Sequence, residues 1–381
     1  MDSRLAFLNT PPPKAKAAAK AAAATNGTNG TGAATNGTDA PATSAPQRHN
    51  FEHKRAGAQG TAIVDYWPAR HGVDLPPEHV LVFIPGNPGL ADYYHKFLNN
   101  LYDQLPDSYA ILTASHVGGD PSVKAPEEPL NIYQMTTTKV EFVEALQTSL
   151  AHWSKEHGAD KPKVSISAHS MGTWMTVELL KRLRGIHAAY LLFPTLGWIS
   201  NSHNGWKLWP IFHRPIRSAI PYLSHIAPYL PAYKRLPSPT QKLVSSFETI
   251  KHVLHLGHSE MEIIRTPDQA FYLEQRNQPE GRGVYGLWSA GSLDGWVGSD
   301  GPLIQSWLGE KRAQTIQAPH AFCISTRHSK SVADHVARWM LGSKHPDADP
   351  GRVHSVENGT TKAKTRKRNG KSRSKSTPYS R

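Results

Sequence analysis

The chain is short of several things that would point to familiar classes. Among 381 residues there is one cysteine, Cys323. No intrachain disulfide can form, and a cysteine-built zinc site is excluded. Nothing in the sequence calls for a metal or other cofactor. No run of 18 or more apolar residues occurs, so no ordinary transmembrane helix is expected. The start, Met1-Asp2-Ser3-Arg4, lacks the charged-then-apolar order of a signal peptide, and the Asn-Gly-Thr triplets at Asn26, Asn29, Asn36 and Asn358 are read as low-complexity accidents. Acid is missing from two stretches. Residues 361–381 hold nine Lys/Arg and no Asp or Glu, and residues 179–247 hold no acid at all. The net charge of +13 therefore resides mainly in a tail: residues 1–50 net +3, and 51–360 only +1. A total of that size suggests nucleic acid, but a near-neutral body with a basic, solvated tail does not, and no nucleic-acid partner is expected.

What is present divides the chain. Residues 1–55 read as a structureless low-complexity segment, since Ala, Thr, Asn, Gly and Pro cannot bury enough area to offset ordering entropy. Residues 343–381 read as a disordered basic tail, in which Lys364–Arg368 (KTRKR) could serve as an import signal or anionic-lipid patch, or simply be solvated. Between them, residues 56–342 alternate. Strand patterns at Thr61–Trp67, His79–Pro85, Tyr109–His116, Lys163–His169, Ala188–Pro194 and Gly283–Ala290 are interleaved with helical ones at Ala91–Leu105, Lys139–His157, Met171–Arg184 and Ser329–Leu341. HVLVFIP is a continuous apolar run, as in a strand buried on both faces. The expectation is an α/β fold with a mostly parallel sheet flanked by helices.

The sharpest motif is Ser167-Ala168-His169-Ser170-Met171-Gly172, set between a strand run and a helical one. A G-x-S-x-G elbow has this setting, with small residues flanking the serine because the turn brings backbone close. Ala168 stands where glycine is usual. Ser170 is the expected nucleophile, and the Met171 N–H would face a developing oxyanion. Pro85-Gly86-Asn87-Pro88-Gly89 ends an earlier strand, where α/β-hydrolases place the second oxyanion donor. Asn87, unlike Pro88, has an N–H to give. In that fold the acid and then the histidine follow the serine. Asp294 follows the late strand and is preferred to Asp300, read as an N-cap, and to Asp268, which precedes the strand. Two histidines fit as base, His320 in APHAF and His328 in TRHSK. His320 is favoured because it lies in a loop before the closing helix, whereas a capping role suffices for His328. His169 is expected to pack beneath the oxyanion region, and Cys323 to act as a small buried hydrophobe.

Residues 196–282 break the rhythm and are expected to form a hydrophobic helical cap or lid. Trp206, Trp209, Phe212, Tyr222 and Tyr229 are mixed with Lys207, Arg214, Arg217, Lys234, Arg235 and Lys242, while prolines cut the segment into short pieces. Aromatic and cationic groups together suit contact with a membrane or droplet surface. An ordinary protein-covered cap is the plainer alternative.

VFIPGNPGLADYY, AHSMG, FPTLGWISNSHNG and APHAF together resemble the lipid droplet-associated hydrolase family over about residues 79–340. The resemblance implies an α/β-hydrolase fold and a serine triad falling on Ser170, Asp294 and His320. It also implies association with lipid droplets and the cytosolic face of the endoplasmic reticulum, and hydrolysis of lipid esters, sterol esters among them. A droplet-bound scaffold with vestigial activity and a soluble esterase or peptidase are the competing expectations. Oligomeric state is not legible.

Overall fold

The structure, a computed structural model, describes residues 1–9, 45–72, 74–298 and 300–342. Its strands are β1 (Gln47–His53), β2 (Gly60–Trp67), β3 (His79–Ile84), β4 (Tyr109–Ala114), β5 (Lys163–His169), β6 (Ile186–Leu192), β7 (Gly283–Ser289) and β8 (Ala313–Ile316). They form one sheet in the order β1-β2-β4-β3-β5-β6-β7-β8. The pairings β1/β2 and β2/β4 are antiparallel, and those from β4 onward are parallel.

β3 is buried at all six positions. Its side chains alternate between the faces, as strand geometry requires. Val80, Val82 and Ile84 join one core cluster, while Leu81 and Phe83 join another. The second cluster lies under α1 (His95–Tyr102) and α10 (Thr326–Leu341), through Phe97, Leu98 and Leu101 from the first and Val332 and Val336 from the second. Cys323 is buried in the same cluster. The opposite face is covered by α2 (Ile132–Glu156) and α3 (Met171–Arg182).

α2 begins seven residues before the expected Lys139. Three consecutive threonines, poor helix formers, hid its first turns. Asn131 and Gln134 form a reciprocal capping box at 3.0 and 2.9 Å, which satisfies two N–H groups at the helix start.

Residues 196–282 do not form one cap. α4 (His203–Phe212), α5 (Ile216–Ala219), α6 (Ser238–Val244) and intervening 3-10 turns make the cap proper, and α7 (Phe247–Ile263) underlies it. α8 (Gln269–Arg276) instead packs Phe271 and Tyr272 against Val284, Trp288 and, from α9 (Asp300–Leu308), Ile304. A parallel crossover from β6 to β7 needs a covering helix, and α8 supplies it.

The expected structureless segment 1–55 is ordered at both ends. Ser3–Asn9 forms a 3-10 segment with Leu5 and Leu8 buried, and β1 pairs along β2 from Gln47↔Tyr66 to His53↔Gly60. Polar residues hid β1, in which only Phe51 and His53 are buried. Arg4 binds Asp2 and Glu141 at 2.7 and 2.5 Å, and its guanidinium lies over the Phe51 ring. Two buried leucines contribute roughly 1.5–3 kcal/mol each, and the Tyr66 hydroxyl donates to the Leu8 carbonyl at 3.2 Å. Residues 10–44, and the basic tail at 343–381 with its KTRKR run, lie outside the described residues.

Candidate active site

Ser170 sits between β5 and α3 with φ 53° and ψ −128°, a backbone conformation costing about 1–3 kcal/mol that persists only where its surroundings impose it. Small neighbours make the turn possible. A Cβ on Gly86 would lie 2.7 Å from the Ser170 Cβ, and one on Gly172 would lie 2.6 Å from the carbonyl oxygens of both Ile84 and Pro85. Ala168 fits without exposure, paired with Ile84 and Leu191.

Asp294 follows β7, and His320 lies between β8 and the short 3-10 turn Phe322–Ile324. The structure brings both to Ser170. His320 Nε2 is 2.9 Å from Ser170 Oγ, and His320 Nδ1 is 2.7 Å from Asp294 Oδ2. The carboxylate accepts from Nδ1–H, which leaves Nε2 to accept the serine proton. The other Asp294 oxygen accepts from the Trp296 N–H at 2.8 Å, so the carboxylate is fixed at both ends. His328 is not at this site. It belongs to the first turn of α10, where its N–H is capped by Ser325 Oγ. Asp300 opens α9, and Asp268 caps α8.

The loop after β3 faces the same serine. Among the described residues, no hydrogen-bond partner is found for the backbone N–H of Asn87 or of Met171; both remain available to an oxyanion. Gly86 N–H, in contrast, donates to the Tyr94 hydroxyl at 3.1 Å.

His169 continues that connection. Its Nε2–H donates to the His320 carbonyl at 3.0 Å, so Nδ1 is the nitrogen that accepts from the Tyr94 hydroxyl at 2.8 Å. Burial, then the neighbouring His320, hold its pKa well below the usual histidine value. A neutral ring keeps this polarity. One chain of hydrogen bonds thus ties the loop after β3, the serine turn and the histidine loop together.

Sequence reasoning missed Tyr94 and Glu260. Tyr94 lies within the ADYY stretch, so a signal existed. Glu260, on α7, had none: its carboxyl is buried and accepts from Asn87 Nδ2 at 2.8 Å. Burial pushes its pKa up to about 8 against the lowering effect of the Asn87 amide.

Of the expected surface aromatics, Trp206 (78%) and Tyr229 (86%) are the most exposed, and Trp209 and Tyr222 are also exposed. Phe212 is not. It is half-buried and turned onto Gly257 of α7, where the missing side chain leaves room for its ring. Leu223, Ile226 and Leu230 are exposed apolar residues of the same stretch, in which Lys207, Arg214, Lys234 and Arg235 are also exposed, while Lys242 pairs with Asp92 at 2.7 Å. Among the described residues, no helix is long and apolar enough to cross a membrane.

A serine on a strand-to-helix elbow, an acid after β7 and a histidine after β8, all at one edge of this sheet, define an α/β-hydrolase fold. Residues 77–323 match the lipid-droplet associated hydrolase family, and the chain belongs to it. The lipid droplet-associated hydrolase of Mus musculus is 27% identical over 303 residues, spanning 69% of this chain and 85% of its own. That of Drosophila melanogaster is 26% identical over 293 residues, 67% and 87% of the two chains. Among solved structures, a soluble variant of monoglyceride lipase from Saccharomyces cerevisiae, bound to a substrate analog, superposes with a TM-score of 0.51 at 13% identity. The match covers 78% of this chain and 96% of that one. At such identity the likeness concerns the fold.

Proposed function

We propose that the protein is a serine ester hydrolase of lipid esters, sterol esters among them, working at the surface of lipid droplets and the cytosolic face of the endoplasmic reticulum. The observation that carries the reading is the continuous hydrogen-bonded line from Ser170 through His320 to Asp294, at 2.9 and 2.7 Å. His320 Nε2 takes the Ser170 proton as Oγ attacks the ester carbonyl, and Asp294 stabilises the imidazolium. The N–H groups of Asn87 and Met171 receive the oxyanion. Collapse expels the alcohol, which takes its proton from His320 and leaves an acyl-serine. Water, deprotonated by the same histidine, then releases the fatty acid.

Lipid as substrate class is supported by family membership and by the cap. A surface of exposed Trp206, Trp209, Tyr222 and Tyr229, with Lys207, Arg214, Lys234 and Arg235 also exposed in a stretch free of acid, suits insertion into an acyl boundary beneath anionic head groups.

The test is a panel of sterol, acylglycerol and short-chain esters, each presented with and without droplets, alongside fluorophosphonate labelling. Labelling lost in Ser170→Ala, with lipid-ester turnover raised by droplets, is the expected result. Labelling that persists in Ser170→Ala would overturn the nucleophile assignment.

A further inference from the structure

The loop that offers the Asn87 N–H is anchored at its far end by the His116 N–H, which donates to the Gly89 carbonyl at 2.9 Å. It contains Gly86 and Gly89 and closes on itself through one bond, from the Gly89 N–H to the Gly86 carbonyl at 2.7 Å. Tyr94 steadies it at Gly86 from the sheet side. On the other side the Asn87 side chain points away from Ser170 into α7. There Nδ2 donates to the Val253 carbonyl at 3.1 Å and to Glu260 Oε1 at 2.8 Å. Gly257, one turn before Glu260, permits this approach, since a Cβ there would sit 3.2 Å from Asn87 Nδ2. α7 is also the helix on which the cap rests. Phe212 packs on Gly257, and Tyr222 packs edge-on against Phe247 at 5.0 Å between centroids.

We propose that Glu260 is a positioning residue for ester hydrolysis, fixing the oxyanion donor of Asn87 to α7, the helix beneath the cap, through the Asn87 side-chain amide. The inference rests on the serine-hydrolase reading. An oxyanion donor acts only where its N–H points at the developing charge, and displacement of a catalytic group by about 1 Å can cost about a hundredfold in rate. Glu260 needs only its accepting oxygen for this task. With the carboxyl pKa pushed up to about 8, the group carries its proton for the most part at neutral pH, and a glutamine carbonyl can stand in for it.

The experiment measures kcat and KM on soluble p-nitrophenyl butyrate without droplets, for the full chain and its variants. Glu260→Leu is expected to lower kcat about tenfold or more with KM within about twofold. Glu260→Gln is expected to stay within about threefold of the parent. In an Asn87→Ala background, Glu260→Leu should add nothing further, because the amide through which it acts is gone. Should Leu prevent folding, Glu260→Met serves the same comparison. Parent-like kcat in the Leu or Met variant overturns the proposal. So does a Gln variant as slow as the apolar one, or full additivity with Asn87→Ala. Those outcomes leave the serine reading standing if Ser170→Ala is inactive, whereas turnover that survives Ser170→Ala removes both.

Discussion

Ser170 is held at a positive φ by neighbours rather than by its own side chain, so Ser170→Ala should keep the turn while removing the attacking oxygen. A loss on the order of 10⁴–10⁶ in kcat is expected, with an unchanged thermal midpoint; measurable turnover near the parent value would be incompatible with an acyl-serine. Tyr94→Phe tests the hydrogen-bond chain instead. It strips a partner from the buried Gly86 N–H and another from His169 Nδ1, at a cost of about 1–3 kcal/mol in urea denaturation. Glu260 adds a pH signature. Between the ordinary glutamate value and about 8, the folded chain keeps a proton that the unfolded chain gives up, so this group makes stability fall as pH rises across that window. Melting curves of Glu260→Gln across the same window should show a shallower decline, and parallel curves would count against a buried, proton-carrying carboxyl. That Ser170, Asp294 and His320 meet could be anticipated because turn chemistry and chain order are local or sequential features. Tyr94 and Glu260 make their contacts with residues far along the chain or in another element, which no spacing encodes; for Tyr94 the ADYY stretch marked the neighbourhood but not the partners.

At the level of elements, the buried parallel strands were readable because burial on both faces leaves an unbroken apolar run, as in β3. β1 was not. An edge strand needs few apolar residues, and QRHNFEH carries one large apolar anchor, Phe51. The same holds for Ser3–Asn9, where Leu5 and Leu8 are the buried anchors. Leu5→Ala and Leu8→Ala should each destabilise by about 2–5 kcal/mol, read from denaturant midpoints; a change below about 0.5 kcal/mol would mean the segment does not dock. The division of residues 196–282 into a cap and a sheet-covering helix was also hidden. α8 is amphipathic like any surface helix, and only the need to roof the β6–β7 crossover assigns it to the body.

For the whole molecule, the distribution of charge matters more than its sum. The acid-free stretch places its cations beside exposed aromatics on the cap, at the same edge as Ser170, His320 and Asp294. On the proposed droplet contact, Trp206→Ser combined with Tyr229→Ser should weaken flotation with droplets about tenfold or more, since two large apolar side chains would be lost from the acyl boundary. Folding stability should change by less than about 0.5 kcal/mol, because both positions are exposed. Raised salt should weaken what remains, through screening of the surrounding cations. Unchanged flotation would assign droplet contact elsewhere.

The lone thiol offers a way to follow the proposed droplet contact. Cys323 is buried beneath the histidine loop, and burial pushes its pKa up to about 12, so it reacts poorly with thiol reagents. The chain is thus a natural single-label background. A cysteine placed at position 229 by Tyr229→Cys can carry an environment-sensitive fluorophore without removal of the native cysteine, and its emission would test, in real time, the proposed passage of the cap from water into oil.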